Sequence, residues 1–204
     1  MRRERRRELI REEILTAAAR LFTEKGYEAT SVDDVAETAD VAKGTFYNYF
    51  ESKEDLVAAM HQKRVDGLFQ AAAQSLESGM PPLQVIKELL VDSARWSEEN
   101  ADMAIIFFNR GPRVMGKGFN LDNGPPPRFL DMQHLVVAAQ EQNELRKDLD
   151  ARFITGMFIH ILFISQFMWV AEGKSGSVIE RVQSWFQALL EGVQAQKENA
   201  RISH

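Results

Sequence analysis

The run GYEATSVDDVAETADVAKGTFYNYFESKEDL, residues 26–56, decides the fold of this 204-residue chain. Thr30 and Ser31 are residue types that cap helices. Val32, Val35 and Ala36 follow at helical spacing, and Asp33 and Asp34 place negative charge in the first turn, where the helix dipole favours it. A second short helix, roughly Ala42 to Tyr49, comes after a four-residue turn and is too short to be stable without packing. A long helix follows at once. Two short helices in this relation form a helix-turn-helix. Lys43, Thr45, Tyr47, Asn48 and Tyr49 offer polar and aromatic groups for a major groove, while Val41, Phe46 and Phe50 supply a packing face. Asp40 stands where such turns often carry glycine, and Asp tolerates the left-handed conformation better than most residues.

Upstream, Ile10, Ile14, Ala17, Ala18, Leu21 and Phe22 recur at helical spacing, and Gly26 marks the end of a helix near Lys25. Ahead of them lies a basic arm in which Arg2, Arg3, Arg5, Arg6 and Arg7 outweigh Glu4. Downstream, Ser52 and Asp55 form a variant capping box that opens the long helix, along which Leu56, Met60, Val65, Phe69, Ala72 and Leu76 share one side. Gly79, Pro81 and Pro82 end it and start the next. Further helices are expected over about 82–99, 101–110, 126–145, 151–172 and 176–197. Gly111 to Pro127, rich in glycine and proline, reads as a long mobile loop. The expected fold is all-α, with about nine helices. An N-terminal helix-turn-helix DNA-binding domain with its basic arm occupies 1–52, and a C-terminal helical ligand-binding and dimerisation domain occupies 53–204.

The motif resembles the DNA-binding signature of the TetR (tetracycline repressor) family. The resemblance rests on Gly26 and Tyr27, the Thr30/Ser31 cap, the core Gly44, Thr45, Phe46, Tyr47, Asn48, Tyr49, Phe50, and Lys53 beyond it. It covers about a quarter of the chain; the remainder resembles the family in architecture alone. The resemblance implies that Lys43, Tyr47, Tyr49 and Lys53 contact phosphates, that Gly44 lets the backbone approach closely, and that Thr45 and Asn48 read base edges, with Ser31 also at the interface. Amide and hydroxyl groups discriminate bases, whereas lysine and tyrosine tips mostly position the protein. With that motif in place, Arg3, Arg5 and Arg6 are expected to reach a neighbouring minor groove. The resemblance also implies a dimeric repressor on a palindromic double-stranded DNA operator; the residues allow an activator, or a response to a protein partner, as well.

The net charge of −5 argues by itself against a nucleic-acid partner, and residues 1–64, with 12 Lys/Arg against 13 Asp/Glu, are not basic either. Only the arm is. The absence of cysteine excludes disulfides and thiolate chemistry, and the charged start runs straight into a helical pattern without the apolar region of a signal peptide, so a cytoplasmic protein is expected. Phe153 to Val170 is apolar enough to raise a membrane span, but it carries His160 and Gln166 and has no companion, so burial inside protein is expected, with no membrane. His61, His134, His160 and His204 lack metal spacing, and no catalytic or nucleotide motif occurs, so neither enzyme activity nor a cofactor is expected.

The last two helices, rich in Phe153 to Trp169 and in Val178, Val182, Trp185, Phe186, Leu189, Leu190 and Val193, hold more apolar surface than one small domain covers. In the family resembled, such helices pair two subunits as a four-helix bundle, which implies a homodimer. Trp96, Met103, Phe107, Phe108, Phe129, Met132, Phe163 and Phe167 are candidates to line a cavity for a small apolar or aromatic ligand. Arg110, Gln133, His134 and His160 are its possible polar anchors.

Overall fold

A computed structural model describes residues 2–106 and 127–192. The helices are α1 (Arg2–Lys25), α2 (Val32–Thr38), α3 (Lys43–Tyr47), α4 (Lys53–Glu77), α5 (Pro82–Glu99), α6 (Pro127–Glu141), α7 (Ala151–Ala171) and α8 (Val178–Glu191). Residues 101–106 are also helical, and no strand occurs among the described residues. The all-α expectation holds.

Local chemistry sets the helix ends. Ser31 caps α2 with a complete capping box: its hydroxyl accepts from the Asp34 amide, and the Asp34 carboxylate accepts from the Ser31 amide. Thr30 does different work. It is buried, and its hydroxyl donates to the Gly26 carbonyl at 2.8 Å, stapling the turn between α1 and α2. At α4 the box is split: the Ser52 hydroxyl accepts from the Asp55 amide, but the Asp55 carboxylate accepts from Glu51. Asp150 and Ser177 cap α7 and α8.

Three boundaries differ from expectation. The arginine arm is no separate segment, because α1 begins at Arg2; arginine, glutamate and leucine are good helix formers and no breaker interrupts them. α6 stops at Glu141 because Asn143 adopts a left-handed φ of 59° and the Gln140 amide donates to the carbonyls of Arg146 and Leu149. α8 ends at Gly192, whose φ is 83°. The loop expected over 111–127 lies outside the described residues except for Pro127, which opens α6.

Two hydrophobic cores organise the chain. The first joins Ile14, Leu21 and Phe22 of α1, Val35 and Ala36 of α2, Phe46 of α3, Phe50, and Leu56 and Val57 of α4. The second joins α5 to α8 through Val85, Ile86, Leu90, Val136, Phe158, Val182 and Phe186, with Ala72, Phe69 and Leu76 from the far half of α4. α4 therefore enters both. In α7, Ile154, Phe158, Ile161, Ser165 and Trp169 follow one another at three- and four-residue steps on the buried face. This is the one described helix long and apolar enough to cross a membrane. It packs instead against α5, α6 and α8, and Gln166 donates to the Ser97 hydroxyl at 2.8 Å across the α5 contact.

Phe46 is fully buried at the centre of the first core. Its truncation to alanine is expected to cost about 3–5 kcal/mol, measured by urea unfolding of the full chain; a loss below 1 kcal/mol would mean that this core does not depend on it.

Candidate nucleic-acid interface and ligand cavities

The turn between α2 and α3 is Ala39 to Ala42, with Asp40 at a φ of 52°. It aims α3 so that Phe46 and Phe50 point into the core, their rings 5.9 Å apart, while Lys43, Gly44, Tyr47 and Asn48 stand on the exposed side. Thr45 and Tyr49 lie half-buried at the edges. Tyr47 is 49% exposed and sets its ring edge-on to Phe46 at 5.4 Å. Half of Tyr47 stays open to solvent, so packing on Phe46 does not account for the whole ring. Gly44 is similar: a Cβ built on it meets nothing within 4 Å, so no neighbour in the chain demands a glycine there. Arg3, Arg5 and Arg6 are exposed on the first turns of α1.

Both lysines named from the resemblance are engaged. The Lys53 ammonium donates to the carbonyls of Tyr27 at 2.6 Å and Thr30 at 2.8 Å and sits 4.0 Å from the centre of the Tyr27 ring. It clamps the start of α4 to the turn between α1 and α2. Lys43 meets the Asp33 carboxylate at 2.7 Å, which raises its pKa from the ordinary lysine value. Ser31 is exposed, but its hydroxyl both donates to and accepts from Asp34. Those bonds, that of the Ser31 hydroxyl first, hold the Asp34 carboxyl down at about 2.

The residues proposed from sequence for one ligand cavity are spread over several places. Trp96 faces α4, against the His61 ring and the Arg64 guanidinium. Met103 packs against the first core. Met132 is buried in the second core, and Phe129 and Gln133 are half-buried on α6. Phe163 and Phe167 stack on each other at 6.4 Å, with Phe167 50% exposed. His160 is exposed, and borders a groove of about 620 Å³ between α7 and α8 with Phe153, Met157, Trp185 and Leu189. Phe107, Phe108 and Arg110 lie outside the described residues. A second cavity, about 350 Å³, opens between α4 and α6. Phe69, Leu76 and Leu135 line it, His134 stands at it, and Arg128 spans its edge by pairing with Asp66 and Asp131 and lying over Phe69.

Sequence reasoning missed the contact that joins α4 to α5. The Arg64 guanidinium donates to the Asp92 carbonyl at 2.6 Å and covers the Trp96 ring, and His61 meets the same ring at 5.2 Å. The spacing of His61 and Arg64 put both on one side of α4, but nothing local showed which helix that side faces. Burial first, and the Arg64 charge second, push the His61 pKa down from 6.5 to about 4.

Residues 14–60 match the family described as bacterial regulatory proteins, tetR family. The HTH-type transcriptional repressor KstR2 of Rhodococcus jostii (strain RHA1) is 35% identical over 185 residues, 90% of either chain. Its namesake in Mycobacterium tuberculosis (strain ATCC 25618 / H37Rv) is 31% identical over 164 residues, covering 79% of this chain and 78% of that one. A TetR/AcrR-family transcriptional regulator from Thermobifida fusca superposes with a TM-score of 0.61 at 29% identity, covering 91% and 98%. Thermus thermophilus FadR, solved with lauroyl-CoA, shares the fold with a TM-score of 0.73 at 24% identity, covering 93% and 98%.

The His61 shift has a definite sign. Between pH 6.5 and 4 the unfolded chain takes up a proton that folded His61 refuses, so stability falls as pH drops through that window, and this contribution stops changing below it. His61→Phe is expected to flatten the decline in urea titrations run across that range. An unaltered decline would show that His61 titrates normally in the folded chain.

Proposed function

The chain belongs to the TetR family of bacterial regulatory proteins and is a DNA-binding transcriptional regulator, not an enzyme; from that premise we propose a dimeric repressor of a palindromic operator, released by a small apolar or aromatic molecule. The observation that carries this reading is the division of α3 into a buried Phe46 and an exposed side of Lys43, Gly44, Tyr47 and Asn48. Tyr47 and Tyr49 position α3 on phosphates, Gly44 admits the DNA backbone, and Thr45 and Asn48 read base edges. Arg3, Arg5 and Arg6 add phosphate or minor-groove contacts from the end of α1. Lys53 serves by fixing α4 to the head. The working division of the chain is 1–52 for DNA and 53–204 for dimerisation and sensing.

The dimer forms through α7 and α8. Their exposed Phe153, Phe167, Met168 and Leu190, together with the groove at Trp185, are supported as an interface by the excess of apolar surface there. The ligand enters beside α4, where the cavity under Arg128 borders the half of that helix that belongs to the second core. Met103 and Ile106 touch the first core from residues 101–106, a second route from sensor to head. A ligand that favours a different α4 position changes the spacing of the two recognition helices from the 34–36 Å or so that successive major grooves require.

Selection from a random duplex library, followed by footprinting, is expected to yield two inverted half-sites about one helical turn apart. Tyr47→Ala should weaken binding to every sequence, whereas Asn48→Ala should change which base is preferred; a loss of preference on Tyr47→Ala with Asn48→Ala neutral would reverse these roles.

Release by ligand requires reciprocity. Any small molecule that raises the melting temperature of the full chain is to be titrated with and without the selected operator. Operator should lower its affinity by the same factor, about 5- to 150-fold, by which it lowers operator affinity. Equal affinities would mean that the molecule binds without regulating.

A further inference from the structure

Lys43 is the one lysine on the exposed side of α3, and it is already paired with a carboxylate. Both oxygens of Asp33 reach its ammonium, at 2.7 and 3.0 Å, from the first turn of α2. The two side chains are 56% and 66% exposed, so no buried geometry forces them together. Asp33 has no part in the α2 cap, which Ser31 and Asp34 complete without it. Nor does the head have cation to spare, since its 12 Lys/Arg face 13 Asp/Glu over residues 1–64. A carboxylate that meets a lysine with two oxygens offers it what a backbone phosphate would.

We propose that Asp33 is an intramolecular stand-in for a DNA phosphate, which holds Lys43 until a duplex displaces it and so sets the sequence-independent part of DNA affinity. This rests on the DNA-binding reading of α3. The pair Asp33–Lys43 presents no net charge to the duplex, whereas Lys43 alone presents one. Once displaced, Lys43 neutralises a phosphate as it would without Asp33, but the cost of breaking the pair is subtracted from the binding energy. Exposed ion pairs are weak, so Asp33 lowers affinity without abolishing it.

The test measures binding of the full chain to a labelled duplex of random sequence over a range of salt, for the parent, Lys43→Ala, Asp33→Asn and the double variant. Asp33→Asn is expected to tighten binding about 2- to 5-fold for each recognition helix, with a salt slope close to the parent's because the displaced Lys43 neutralises the same phosphate in both. Lys43→Ala should cost little in the parent and several-fold more in the Asp33→Asn background, a non-additive cycle. Asp33→Ser, which also lacks the carboxylate, should behave as Asp33→Asn. Glu37→Gln removes the same charge from an exposed site farther along α2 and should not couple to Lys43. An additive cycle, or equal coupling at Glu37, overturns the proposal while leaving the DNA-binding reading intact. A parent chain that binds no duplex at any salt overturns both.

Discussion

α4 is one helix shared by two cores, and the rest of the molecule is arranged around that constraint. Leu56 and Val57 are fixed among the side chains of the head, and Phe69, Ala72 and Leu76 among those of the larger helical domain. A helix of 25 residues is about 37 Å long. Close-packed interiors respond to strain by switching arrangement, not by bending smoothly. The two ends of α4 therefore cannot move independently: Lys53 ties one to the turn between α1 and α2, and Arg64 and Arg128 fasten its middle to α5 and α6.

How much of this was legible in the sequence depends on how local each determinant is. Ser31, Ser52 and Pro82 each start a helix through neighbours a few residues away, so those starts could be read directly. The inward turn of Phe46 and the outward turn of Tyr47 followed from their spacing on one short helix. Asn143 and Gly192 were equally local stop signals, passed over because the apolar pattern ran on beyond them. The aromatic residues proposed for one cavity were another matter. Trp96, Met132, His160 and Phe167 sit on three helices, and which way each faces depends on how those helices are rotated against one another, a property no single stretch encodes. The partners of Lys43 and Lys53 are non-local in the same way, 10 and 23–26 residues away, so no short stretch displays them.

The apolar helix α7 shows how a few polar atoms define a helix contact. Leucines and phenylalanines slide past one another with small changes in energy, but the Gln166 amide has one favourable position against Ser97 and the Ser93 carbonyl. A buried amide left without its partners costs more than a methyl group out of place. The hydrogen bond thus fixes the register of α7 on α5, and the outward face of α7, with Phe153 and Phe167, is presented in a fixed orientation.

The helical extension of α1 changes how the negative net charge should be understood. Residues 3–9 are exposed, and the first partly buried position is Ile10, so the arginines ride on a rod that projects about 12 Å beyond the head. Charges separated in water by more than the Debye length, about 8 Å at physiological ionic strength, scarcely feel one another. Arg3, about 10 Å along the helix from Ile10, lies beyond that distance, so the acidic residues of the body do little to cancel its charge. Seen from solution, the protein carries a compact positive end in spite of its negative net charge.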